Sequence, residues 1–110
     1  MTDSQDPMAA AYAALADRAW RSNQARAAEM TESVGQWRGM GSLSTELSER
    51  LRAAAHGVRG SAGTFGHEAA ADAAEELEEL LVGDAQPRLD VVADLVAQVE
   101  SALTEPPELS

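Results

Sequence analysis

The chain has 110 residues, a net charge of −11, 45% hydrophobic but only 4% aromatic residues, and no cysteine. One compact domain fits that length and apolar content, while wholesale disorder, a disulfide framework, thiolate chemistry and a Cys-based metal site are excluded. All eight basic residues are Arg against 19 acids, which excludes both the basic stripe of a nucleic-acid binder and the polybasic face that docks on anionic lipid.

Residues 1–6 are polar, with neither a basic n-region nor an apolar h-region, and are expected to be a flexible start. No apolar run approaches the roughly 20 residues needed to span a bilayer, so the expectation is a soluble, cytoplasmic protein. Asp6-Pro7 is a helix entry, with an Asx cap and Pro in the first turn. Tyr12, Leu15, Ala16, Ala19, Asn23, Ala27, Met30, Val34 and Trp37 then recur at spacings of three and four. The pattern predicts one long amphipathic helix from about Pro7 to Trp37, with the polar Asn23 marking a place where it could break.

Gly39-Met40-Gly41-Ser42 is the first turn, and Ser42 or Ser44 can cap the next helix. Its stripe is Leu43, Leu47, Leu51, Ala54, Val58, Ala62 and Phe65, ending near Gly63 to Gly66. A third helix starts at His67 or Glu68, with Ala70, Ala73, Ala74, Leu77, Leu80 and Leu81 inside and Asp72, Glu75, Glu76, Glu78 and Glu79 in water. Gly83 is a natural stop, and Pro87 is expected in the first turn of a last helix on Leu89, Val92, Leu95, Val96, Val99 and Leu103, ended by Pro106-Pro107. Ala and Leu dominate and β-branched residues are scarce. Four amphipathic helices with short connections predict an all-α, antiparallel up-down-up-down four-helix bundle over 7–105, with 106–110 as a C-terminal tail.

The second helix carries the chemistry. At about 100° per residue, His56 falls about 170° from the centre of the apolar stripe, on the outward face with Arg52, Arg59, Gly60 and Gly63. Gly60 lies one turn after His56 and leaves open space beside the ring. A glycine inside a helix costs about 0.5–1 kcal/mol relative to Ala, so Gly57, Gly60 and Gly63 in one helix of an Ala-rich chain call for a reason. Close approach of a partner to His56 is a sufficient one. Arg52 and Arg59, one turn before and after, suit a dianionic group on the ring, and a neutral imidazole is a competent nucleophile near neutral pH. The same residues also fit a merely solvated histidine beside a close helix contact or an early helix end, and the pattern leaves both open. His67-Glu68 begins like a zinc-binding helix but residue 71 is Ala, and Gly60, Gly63 and Gly66 match neither a dinucleotide fingerprint nor a P-loop. The Glu-rich third helix reads as a solvated face, and Trp20, Met30 and Trp37 as core or rim.

His56, Val58, Arg59, Gly60, Ser61, Ala62, Phe65 and Gly66 together resemble the signature of histidine-containing phosphotransfer (HPt) domains, and the Leu77-Glu78 pair and Gly83-Asp84 turn extend the likeness. The resemblance is dense over 53–84 and architectural elsewhere. It implies a four-helix bundle that carries a phosphoryl group on His56 between receiver-domain aspartates of a multistep two-component phosphorelay. It further implies a phosphocarrier without an ATP-binding kinase domain, not an enzyme in its own right. Arg59 then stands where the family has a basic residue, more often Lys, near the phosphoryl group, and Gly60 where a small residue admits the receiver. Ser61 and Gly66 match structural positions. Arg52, Gly57 and Gly63 are expected to meet the partner. Gly57 departs from the family's usual small polar or longer residue, and Arg at 59 changes the donor geometry. The implied partners are response-regulator receivers and a hybrid sensor kinase, met as a monomer. No cofactor is expected on this chain, since the Mg²⁺ of the transfer belongs to the receiver. The alternative is an adaptor bundle that docks a receiver or kinase without being phosphorylated.

Overall fold

A computed structural model describes residues 6–84 and 86–107. The described residues form α1 (Pro7–Met40), α2 (Thr45–Thr64), α3 (Glu68–Gly83) and α4 (Leu89–Ala102). Each helix packs on its neighbours in sequence, and α4 closes back on α1. Short connections make those neighbours antiparallel, so the chain is the expected all-α four-helix bundle. Of the expected flexible start, residues 1–5 lie outside the described residues, as do 108–110 of the tail. Among the described residues, no helix is long and apolar enough to cross a membrane.

The helix ends follow local chemistry. Asp6 Oδ1 accepts from the Met8 N–H at 3.0 Å and Pro7 opens α1. Gly41 takes φ 79° and its N–H returns to Trp37 O at 2.8 Å. Ser44 Oγ accepts from the Leu47 N–H at 3.1 Å, which fixes the start of α2. At the other end Gly66 takes φ 85° and the His67 N–H reaches back to Ala62 O at 2.8 Å, a Schellman-type closure. Four ends differ from expectation. The first helix continues past Trp37 through Gly39 to Met40, so the turn begins at Gly41, and α4 ends at Ala102, ahead of Pro106-Pro107. Gly83 does not adopt a left-handed stop; it is the last residue of α3, and Asp84 breaks out in extended geometry at φ −135°. Pro87 is not in the first turn of α4, because Arg88 is the cap residue and Leu89 begins the helix.

The core is built from Met30, Leu51, Leu77, Val58, Val92, Val99 and Leu103 with a lining of alanines, all fully buried or nearly so. Burial of each large side chain contributes about 1.5–3 kcal/mol. The small alanines Ala54, Ala55, Ala62, Ala70, Ala73 and Ala74 let α2 and α3 come together with little between them.

The first helix departs from the expected stripe in two places. Tyr12 and Leu15 are 45% and 49% exposed, and Ala16 is the first buried residue. The reason is length: α1 has 34 residues against 20, 16 and 14 in α2, α3 and α4. At about 1.5 Å per residue its first turns run beyond the ends of its neighbours, and Tyr12 meets the Phe65 ring, at 5.5 Å between centroids. The helix also does not break at Asn23. That side chain is buried at 1% exposure and engaged through both polar atoms: its amide nitrogen donates to Ser61 Oγ at 3.3 Å and its oxygen accepts from Arg26 Nη1 at 2.7 Å.

Candidate functional site

The site lies on the outer surface of α2. The capped start of the helix and the buried run Leu47, Leu51, Ala54, Ala55, Val58 and Ala62 fix its rotation, and that rotation turns His56 outward. The His56 side chain is 74% exposed. It is nevertheless held, because its Nδ1 lies 2.8 Å from Glu78 Oε2 on α3. The other Glu78 oxygen accepts from Arg59 Nη1 at 3.1 Å, and Arg59 Nη2 reaches Glu75 Oε2 at 3.4 Å. One carboxylate therefore bridges the histidine and the arginine one turn later.

The electrostatics of this bridge decide its protonation. Desolvation pushes the Glu78 carboxyl upward, but the hydrogen bonds from Arg59 and His56, with their charges, outweigh it and hold the group below its ordinary value of 4.5. The hydrogen bond to Glu78 and the charge of Glu75 in turn raise Arg59 above its ordinary range. An ionised carboxylate only accepts, so His56 Nδ1 carries the proton of the pair. In the neutral ring Nε2 then holds the free lone pair, and it has no hydrogen-bond partner among the described residues.

The sequence places Glu78 in water with the other α3 acids; the structure corrects this, since its side chain is only 14% exposed and turned to α2. Asn23, Ser61 and Arg26 are likewise brought together beside the site without having been singled out as a group. A polar residue on an apolar stripe was the available signal for Asn23.

The remaining expected residues separate by position. Gly60 is exposed, and a Cβ there would meet nothing within 4 Å. Arg52 is exposed and makes no ion pair among the described residues. Gly63 is exposed but lies toward α3, where a Cβ would be 3.7 Å from that of Ala71. Gly57 is not part of the open face. It turns to α1, and a Cβ there would stand 2.6 Å from Arg26 Nε. His67, the other histidine, is buried and pairs through Nε2 with Glu105 O at 2.7 Å, near the Trp20 ring and away from His56.

What the arrangement can do chemically is limited and specific. It presents an exposed imidazole of defined tautomer, a counter-charge behind it, arginines around it and a gap one turn along. Such a group is a nucleophile that a large partner can reach. Comparison with known families matches residues 8–105 to the Hpt domain. No curated protein and no solved structure matches the chain.

Proposed function

The chain belongs to the Hpt domain family, whose members have a histidine phosphotransfer role in phosphorelays, and on that premise we propose that His56 Nε2 carries the phosphoryl group between receiver-domain aspartates of a multistep relay. The observation that carries this is the bond between His56 Nδ1 and Glu78 in a ring that is 74% exposed.

The Nε2 lone pair attacks the phosphorus of a receiver's aspartyl phosphate. An N–P bond forms as the P–O bond to the aspartate breaks, and the carboxylate leaves with the bonding pair. The ring keeps its Nδ1 proton and becomes cationic, and Glu78 stands 2.8 Å away to stabilise that charge. The second transfer reverses the step onto another receiver's aspartate. Positioning and charge neutralisation supply most of the acceleration in such exchanges. Gly60 admits the receiver, and Arg52 faces the incoming group. Arg59 acts through Glu78, which it holds in place and ionised. The Mg²⁺ of the transfer comes with the receiver. The chain is in this reading a cytoplasmic, monomeric phosphocarrier served by a hybrid sensor kinase, with no kinase activity of its own.

The test is transfer from a phosphorylated receiver. The expected result is an acid-labile, base-stable label that is lost in His56→Gln. Label surviving in that variant overturns the assignment. Receiver binding with no label on the wild-type chain selects the adaptor alternative instead.

A further inference from the structure

Three arginines surround His56, and they are not equivalent. Arg59, at the family's basic position, is committed to Glu75 and Glu78. That trio carries one net negative charge, so it cannot by itself balance a phosphoryl group bearing about two negative charges near neutral pH. The cationic ring and Arg52 supply part of the counter-charge, and a further cation beside the site adds to it.

Arg26 meets the need and is built in. It stands on α1, and its side chain lies across Gly57, the residue after His56. Gly57 is about 100° further round α2 than His56, on the side of α1, whereas Glu78 approaches from α3. The ring therefore stands between a carboxylate on one flank and a guanidinium on the other. Arg26 pairs with no carboxylate among the described residues. It donates through Nη1 to the neutral oxygen of Asn23 at 2.7 Å, and Asn23 is itself buried and tied to Ser61 of α2 at 3.3 Å. A guanidinium has five N–H donors, and this bond uses one of them. A buried amide that spans two helices to hold an arginine over a glycine is a costly arrangement for a solvated cation. It is a reasonable one for a cation that must be ready for an anion.

We propose that Arg26 is a second phosphoryl-binding residue of this site, its guanidinium seated over Gly57 and held by Asn23 and Ser61 to receive the phosphoryl group on His56 Nε2. Asn23, Ser61 and Gly57 are positioning residues. Arg26 has this part only if His56 carries the phosphoryl group.

The full chain is phosphorylated with phosphoramidate and, separately, by a phosphorylated receiver, and phosphohistidine is followed by ³¹P NMR across pH. A guanidinium at the phosphoryl oxygens favours the dianion, so the phosphoryl pKa should rise in Arg26→Gln by about half a unit to one unit. Transfer from the receiver should slow about tenfold, and Arg26→Lys should recover part of that loss, keeping charge without the planar fork. Gly57→Ala puts a methyl where Arg26 Nε lies and displaces the side chain without removing its charge. It should slow transfer and raise the phosphoryl pKa in the same direction as Arg26→Gln, a change in titration that a purely structural arginine does not produce. Phosphohistidine that forms normally, with titration and transfer rate in Arg26→Gln and Gly57→Ala equal to wild type, overturns the inference and leaves the carrier reading standing. Absence of phosphohistidine on the wild-type chain with either donor overturns both.

Discussion

At the scale of single residues, the chemistry turns on Glu78 rather than on His56 alone. An imidazole offers either nitrogen, and what selects Nε2 here is a carboxylate that must accept from Nδ1. Glu78→Gln keeps the shape but removes the charge, and its amide can present N–H to the ring and favour the wrong tautomer. Transfer should fall by roughly 10–100-fold, the range seen when a partner that orients a metal-bound histidine is lost, with the circular dichroism spectrum unchanged. The same substitution should change stability against pH. The Glu78 carboxyl titrates lower folded than its ordinary value of 4.5, so near that pH the unfolded chain binds the extra proton. Its contribution is complete above about 4.5 and is lost as pH falls through the folded value. Urea midpoints of wild type and Glu78→Gln should therefore differ most at neutral pH and converge in acid. A gap that widens on acidification contradicts the bridge.

At the scale of elements, two glycines of the α2 region serve opposite ends. Gly66 has φ 85° and shapes the exit that lets His67 bond Ala62, so Gly66→Ala should cost about 1–2 kcal/mol and lower the urea midpoint. Gly60 has open space at its Cβ position. Gly60→Gln should hold or raise the urea midpoint, since glycine is the poorer helix residue, yet slow receiver transfer, because the added side chain stands one turn from His56. Unfolding in Gly60→Gln, read by far-UV circular dichroism, contradicts the access role. These elements were largely legible in the sequence. Period-3.6 stripes placed all four helices, and the rotation of α2 put His56 outside. What was not legible depends on neighbours. The arithmetic of α2 alone says nothing of α3, so Glu78 reads as one more solvated acid. Asn23 reads as a break because a stripe has no place for a polar residue whose partners, Ser61 and Arg26, lie outside it. Tyr12 and Leu15 read as core because periodicity does not reveal that the other helices stop short of them.

At the scale of the whole molecule, the balance of charge matters more than any one pair. With 19 acids and eight arginines, three of those arginines sit around one histidine, and the rest of the surface is left predominantly negative. Self-repulsion of this kind opposes the compact state, since unfolding spreads the charges apart. The exposed pairs Arg21–Asp17 at 3.0 Å and Arg88–Asp90 at 2.7 Å act in the other direction, but each such pair is worth only about 0–1 kcal/mol. Screening weakens both, and the more numerous repulsions decide the sign. The Debye length falls from about 30 Å at 0.01 M salt to about 10 Å at 0.1 M, against cross-sectional dimensions of 22 and 19 Å. Sodium chloride should therefore raise the melting temperature over that range, by ~4–8 °C if about 1 kcal/mol of repulsion is relieved. A melting temperature that falls instead means that attraction between opposite charges outweighs the repulsion of the net charge.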